Sequence, residues 1–266
     1  MENNVEVRKN KEKYYHNFLR DEELKTDIKD FEYYTSNQKW YSIVRKSVGF
    51  TDSWLARECP NKKILDYCCG DGDIALKITR MGAAEVIGID ISDVSIENSR
   101  KKAAQEGLQN QCKFLVMDAE NTKFSDESFD IVFEHGVLHH LDLKKAYAEI
   151  ARILKPEGKA ICVEAIGHNP IMQHYRRTTL HLRTIWEMEH ILCKKDIEMA
   201  RLYFNEVKIL GFFHLASLGA VPFRKSRPFN FILSGLEIID CILLRLPIIK
   251  WQAWQATFLL SKPKKI

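Results

Sequence analysis

The spacing of apolar positions changes twice along the chain. Between residues 37 and 58, Trp40, Ile43, Val44, Val48, Trp54 and Leu55 recur at helical intervals and predict an amphipathic helix. Five short apolar runs follow, at 62–67, 84–90, 111–117, 129–134 and 158–166, with helix-like segments at 73–81, 94–107 and 143–154 between them. Strands that alternate with helices in this way build βαβ units, so the expected fold class is α/β, a doubly wound, mostly parallel sheet covered on both faces. Gly107 is a natural helix end, and Lys155-Pro156-Glu157-Gly158 reads as a stop that turns the chain into the fifth strand.

Beyond Gly167 the regularity breaks. Residues 168–203 read as helical and rich in basic side chains and histidine, 206–216 as a strand, 229–249 as an apolar helix, and Ala253 to Ser261 as a last, mostly buried strand. Residues 1–36 are polar with interleaved aromatics (Tyr14, Tyr15, Phe18, Phe31, Tyr33 and Tyr34) that suit packing over another surface. The expected organisation is an N-terminal helical lid over 1–58, a cofactor-binding Rossmann-like core over 59–167, and cap helices with the last two strands over 168–266.

Composition narrows the function classes. The chain has 266 residues, 45% hydrophobic and 29% charged, enough for a sizeable core, and a formal charge of +4. That charge is too small and too scattered to indicate nucleic acid, and the basic stretches around 223–227 and 262–265 read as solvated surface. Seven cysteines without a C-x-x-C pair argue against a disulfide framework or a zinc site, so a cytoplasmic setting is expected and no metal. The N-terminus lacks a signal-peptide pattern. Within 229–249, Glu237, Asp240, Arg245 and Pro247 argue against a transmembrane helix. A buried cap helix is the reading there, with an interfacial helix as the alternative, so stable insertion is not expected and peripheral contact is left open.

The chemistry concentrates at the strand ends. Ile64-Leu65-Asp66-Tyr67-Cys68-Cys69-Gly70-Asp71-Gly72-Asp73 runs from a strand through a glycine turn into a helix, where Gly70 and Gly72 permit a tight turn and a close ligand approach. Nicotinamide-binding folds use a similar turn. Here, however, Asp66, Asp71 and Asp73 would repel a pyrophosphate, whereas they suit a ligand that carries an ammonium and a sulfonium; this charge logic favours S-adenosylmethionine. Asp90 ends the second strand, where a carboxylate can accept from a ribose diol, and Asp118 ends the third, where it can accept from an adenine amine beside the Ala119 amide.

These segments, ILDYCCGDGD, VIGIDIS, FLVMDAENTKFSDESFDIVFEHGVLHHL and ILKPEGKAICVEA, make the chain resemble the class I S-adenosylmethionine-dependent methyltransferase superfamily. The likeness is to its small-molecule branch, similar to ubiquinone/menaquinone-type C-methylases, and covers about residues 62 to 166. It implies a seven-stranded sheet with an antiparallel last strand. It also implies methionine-moiety contacts from Asp66, Gly70 and Gly72, ribose contacts from Asp90, adenine contacts from Ile91, Asp118 and Ala119, and closure of the cofactor pocket around Glu134 and His135. Cys68 departs from the glycine common at that position and is expected to constrain the turn while remaining part of the cofactor site.

Methyl transfer is an in-line displacement and needs a base only when the nucleophile must lose a proton. His139, Glu164 and His168 are the catalytic candidates, each near a strand tip, against the alternative that they cap or pack. Tyr14, Tyr15, His140 and Arg176 are the substrate candidates, Arg176 as a partner for an acidic group. The aromatic cap suggests a bulky, largely hydrophobic small molecule such as a secondary metabolite, methylated on oxygen, nitrogen or carbon with S-adenosylhomocysteine as co-product. A nicotinamide-dependent oxidoreductase and a non-catalytic cofactor-binding protein of the same fold are the rivals. The oligomeric state is not legible.

Overall fold

A computed structural model of the chain describes residues 2–20 and 36–265. The aromatic residues Phe31, Tyr33 and Tyr34, counted above towards the lid, lie outside the described residues. Helix α1 (Glu2–Arg20) is followed by a 3-10 segment (Ser36–Ile43) and α2 (Arg45–Glu58). The core then runs β1 (Lys63–Tyr67), α3 (Asp73–Arg80), β2 (Glu85–Asp90), α4 (Asp93–Gln105), β3 (Cys112–Val116), β4 (Phe129–His135), α5 (Leu143–Ile153) and β5 (Leu154–Ala165). Short helices α6 (Pro170–Thr178), α7 (Ile185–Glu189) and α8 (Lys194–Met199) lead to β6 (Phe204–Phe213), α9 (Phe229–Leu243) and β7 (Gln255–Pro263).

The seven strands lie in the order β3-β2-β1-β4-β5-β7-β6. Pairings among β1 to β5 are parallel, and β7 runs antiparallel to both β5 and β6. The chain passes from the β3 edge back across the sheet to β4. The strand order therefore reverses between β1 and β4, and loops from neighbouring strand ends diverge there to leave a crevice. Two buried clusters cover the faces. One gathers around Tyr67, Tyr147, Phe129 and Phe258, the other around Leu55, Leu76, Ile78 and Phe114. Strands β1 and β2 are buried along nearly their whole length, as parallel strands between two helical layers must be.

The glycine turn after β1 takes its shape from two left-handed positions, Gly70 at φ +53° and Gly72 at φ +76°. Cys68 also adopts a positive φ of 60°, which costs an L-residue about 1–2 kcal/mol and explains why a glycine suits that place. A Cβ at Gly72 would sit 2.8 Å from the Phe114 ring and from Ser99 Cβ, so the helix can start against β3 only without a side chain.

Three expectations are corrected. Residues 168–203 do not form one helical stretch. Asn169 caps α6, and the chain then breaks at Thr179 and again before Leu192, which bridges to Ile166 beside the sheet. Strand β5 begins at Leu154, so Lys155 to Gly158 form a bulge opposite β4 and do not separate helix from strand. Helix α9 is not a buried apolar helix: its buried residues are Leu233, Glu237 and Asp240, while Phe231, Ile238 and Ile242 face outward. Among the described residues, no helix is long and apolar enough to cross a membrane.

Substituting Gly72→Ala is expected to destabilise the protein by about 1–3 kcal/mol, because it adds overpacking against Phe114 to an unfavourable φ. A melting temperature several degrees lower by circular dichroism would bear this out; an unchanged one would remove the packing argument.

Candidate active site

Two adjoining cavities occupy the crevice. The first, about 390 Å³, is lined by Asp66, Cys68, Gly70, Asp90, Ile91, Asp118, Ala119 and His135 from the strand ends, with α1 lying across it. The second, about 300 Å³, is lined by Tyr15, Trp40, Tyr41, His139, Met172, Tyr175, Arg176 and Trp254. His135, Gly136 and His140 border both, so the cavities meet just beyond β4.

The loops of the first cavity hang on Asp90. Its Oδ2 accepts the Gly70 amide at 2.9 Å and its Oδ1 accepts the Ser92 amide at 2.8 Å, which leaves further lone pairs for a ligand hydroxyl. Asp66 is buried, and its Oδ2 has no hydrogen-bond partner among the described residues. Burial, with the charge of Asp90 nearby, pushes its pKa up to about 7 against the Ala75 amide. An orphaned buried carboxylate oxygen calls for a cation or a donor.

Helix α1 supplies bases to the other acids. Arg8, Glu12, His16 and Arg20 recur every four residues and share one face. Arg8 pairs with buried Glu120, Lys9 Nζ lies 2.6 Å from Asp118 Oδ2 and 3.0 Å from Glu120 Oε2, and Arg20 donates to Ser95 Oγ at 2.9 Å. Burial opposes the charge on Lys9, but Asp118 and Glu120 outweigh it and raise its pKa. Glu12 accepts from Thr184 Oγ1 at 2.5 Å and faces His140 Nδ1 at 3.1 Å. Burial disfavours charge on His140 too, yet Glu12, Glu187 and Glu164 together raise its pKa. His16 is driven well below the usual imidazole range by burial and by the charges of His140 and Arg20. Glu12, His16 and His140 bring one ligand atom each within 4.8 Å of one another, but Glu12 already carries the Thr184 and His140 contacts, so the group reads as an ion pair between α1 and the segment after β4.

Behind the second cavity stands a polar relay. His139 Nδ1 lies 2.8 Å from Glu164 Oε2, while Glu164 Oε1 accepts the Leu138 amide at 2.6 Å. Burial would raise the pKa of Glu164, but His139 holds it below the usual range. Glu134, fully buried beside it, is raised well above its ordinary value by burial and by the charge of Glu164. The two carboxyls are thus pushed in opposite directions, Glu164 towards the charged form and Glu134 towards the protonated one. With Nδ1 engaged, His139 keeps Nε2 for a group in the cavity.

Several expected residues sit elsewhere. Gly72 and Glu134 do not line the first cavity: Gly72 is packed from behind by Phe114, and Glu134 points under the β4 loop to accept the Val137 amide. Glu164 is fully buried behind His139. His168 accepts from the Lys194 amide at 3.0 Å against Trp251 and borders neither cavity. Tyr14 is 75% exposed, because adjacent helical positions diverge and Tyr15 takes the inward side. Arg176 is buried within the second cavity, and its Nη1 has no hydrogen-bond partner among the described residues. Burial and the neighbouring Arg183 lower its pKa to about 10. Sequence reasoning missed Arg8, Lys9, Glu12, His16 and Arg20, although the four-residue interval of Arg8, Glu12, His16 and Arg20 was visible.

Comparison with known proteins agrees with this geometry. Residues 64–158 match the family described as a methyltransferase domain. The ubiquinone/menaquinone biosynthesis C-methyltransferase UbiE of Rickettsia felis is 39% identical over 129 residues, 44% of this chain and 52% of that protein. The chain therefore spans about half the length of the curated relatives it matches. The YcgJ protein of Bacillus subtilis superposes with a TM-score of 0.56 at 19% identity over 81% of this chain and 98% of that one. A geranyl diphosphate methyltransferase solved with GPP and sinefungin gives 0.52 at 14% identity, over 82% and 78%. Both structures share the fold. Over residues 64–158 the chain is thus similar to the class I S-adenosylmethionine-dependent methyltransferase superfamily.

S-adenosylmethionine is the cofactor of that superfamily, and the first cavity fits it. The orphaned Asp66 oxygen offers an acceptor for the amino-acid ammonium. A Cβ at Gly70 would meet the Arg20 guanidinium at 3.0 Å, and the acids Asp66, Asp71 and Asp118 along the cavity disfavour a pyrophosphate.

Two predictions follow from these side chains. Asp66 must ionise to hold an ammonium, so cofactor affinity should rise from about pH 6 to about pH 8 and then level off; below its pKa of about 7 the carboxyl is neutral and the attraction is lost. Asp66→Asn should flatten that profile and weaken binding roughly tenfold to a hundredfold, as read by titration calorimetry. Arg176→Met removes a buried unpaired charge and is expected to melt no lower than the parent protein. A fall of several degrees by scanning calorimetry would show that Arg176 is structural.

Proposed function

We propose that the chain is an S-adenosylmethionine-dependent methyltransferase acting on a bulky, largely apolar small molecule, of the kind found among secondary metabolites and quinone precursors. The observation that carries this reading is the meeting of an acid-lined cavity and an aromatic-lined one at His135, Gly136 and His140, with His139 beside the junction. The cofactor, when bound, supplies an electrophilic methyl group on a sulfonium.

The chain's own residues would do the rest. Trp40, Tyr41, Tyr175 and Trp254 give the acceptor apolar surface and exclude water from the junction. His139 Nε2 takes the proton that the acceptor loses as it attacks. Glu164 holds Nδ1 and stabilises the resulting imidazolium. Helix α1 covers the cofactor through its pairs with Glu120, Asp118 and His140.

A base in this position favours an acceptor with an ionisable proton, such as a phenol or an enol. That chemistry serves attack through oxygen and equally through a ring carbon made nucleophilic by deprotonation. The relatives' printed function, C-methylation in ubiquinone and menaquinone biosynthesis, is compatible with the carbon case. The aspartates at 66, 71 and 118 count against a nicotinamide oxidoreductase, which would share Asp90.

The test is S-adenosylhomocysteine formation with a panel of apolar phenols and enols, together with calorimetry against NAD. His139→Gln should lower kcat about a hundredfold to ten-thousandfold and leave cofactor affinity unchanged. The loss should be smaller on acceptors that are already ionised. Binding of NAD in place of S-adenosylmethionine, or cofactor binding without turnover of any acceptor, would sink this reading.

A further inference from the structure

Helix α9 is built inside out. Leu233, Glu237 and Asp240 form its buried stripe. Glu237 is held by the Arg45 guanidinium at 2.7 Å, and Asp240 accepts the amides of Leu215, Ala216 and Ser217 at 2.6–3.2 Å. Half a turn away, Phe231, Ile238 and Ile242 are 85%, 65% and 64% exposed and lie on one stripe. Ile239, Leu246 and Ile248 continue the apolar surface, with Phe223 near the start of the helix. Large apolar side chains grouped in this way on a surface mark a contact face.

Charge says what kind of face. Between residues 215 and 254 the only acids are Glu237 and Asp240, and both are buried and engaged inward. Arg224, Lys225 and Arg227 stand before the helix, and Arg245 and Lys250 after it. The outward surface is therefore an apolar stripe between basic ends with no acid among them. A second copy of this chain would bring like charges together across such a face. An anionic bilayer supplies both an apolar interior and a negative surface.

We propose that this face docks the protein on anionic lipid membranes, with the α9 stripe seated at the level of the headgroups and acyl chains. Beside it, a groove of about 550 Å³ lined by Leu218, Val221, Pro222, Ile171 and Trp40 opens near Arg224, and Trp40 also lines the acceptor cavity. The docked orientation thus brings an apolar path from the membrane to the acceptor cavity. The docking itself does not depend on the methyl-transfer reading.

Sedimentation of the full chain with vesicles tests this, comparing phosphatidylcholine alone with a phosphatidylcholine–phosphatidylglycerol mixture. The protein should pellet with the anionic vesicles and remain in solution with the neutral ones, and raised salt should release it. Phe231→Ser, Ile238→Asn and Ile242→Asn together should abolish pelleting while melting temperature and S-adenosylhomocysteine affinity stay unchanged, since these side chains are exposed and remote from the cofactor cavity. Arg224→Gln, Lys225→Gln and Arg227→Gln together should weaken anionic binding by about fivefold for each charge. Failure to bind either vesicle overturns the proposal, and so does equal binding to both. Self-association removed by the three apolar substitutions would assign the face to a second copy instead. None of these outcomes alters whether the protein binds cofactor or transfers methyl groups.

Discussion

The bond pair at Asp90 is the constraint on which the cofactor site depends. One carboxylate, nearly sealed from solvent, ties the amide of Gly70 in the first loop to that of Ser92 at the start of α4. The Cys69 amide adds a second tie, to the Ile89 carbonyl at 2.8 Å. Because β1 and β2 are in parallel register, these bonds hold the glycine turn at a set height above the sheet. The Gly70 backbone, which borders the first cavity, takes its position from them.

That arrangement crowds negative charge. Asp66, Asp71, Asp90, Asp118 and Glu120 border one cavity, and such a group needs compensation. The bases of α1 provide it for Asp118 and Glu120, while Asp66 Oδ2 has no hydrogen-bond partner among the described residues. The distribution suits a cofactor whose positive charges lie at its amino-acid end. It also means that Lys9 lies against the carboxylate expected to hold adenine, so helix and nucleoside contend for the oxygens of Asp118. Helix α1 thus serves as counter-ion to Asp118 and Glu120 where it crosses the cavity.

Sequence alone made the core legible because parallel strands buried on both faces leave continuous apolar runs, and each run here ended in a carboxylate at the sheet edge. The observed β1, β2, β3 and β4 differ from the expected spans by a residue at most. Roles within the site were harder to read. Glu134 and Glu164 look equivalent as strand-end acids, and only their neighbours separate them: burial beside Glu164 favours the neutral form of Glu134, while His139 favours the charged form of Glu164. His168 sat at a strand tip like His139, but the turn at Asn169 and Pro170 aims it at the Lys194 amide. Such distinctions depend on tertiary neighbours that no local pattern encodes.

Helix α9 shows the same limit from the other side. Its acids counted against a membrane-spanning segment, and that inference held; the assumption that its isoleucines and phenylalanines therefore face the core did not. A hydrophobic pattern reports that one face differs from another, not which face meets the protein. Here the polar stripe is the one with partners, since Arg45 and the amides at 215–217 satisfy both carboxylates inside the cap. Once those acids are consumed inward, the outer face carries no charge along the helix, only Asn230 and Ser234 among its apolar side chains. The same substitution of inner for outer polarity that stabilises the cap leaves its surface apolar and rimmed by bases, next to the groove that leads towards the acceptor cavity.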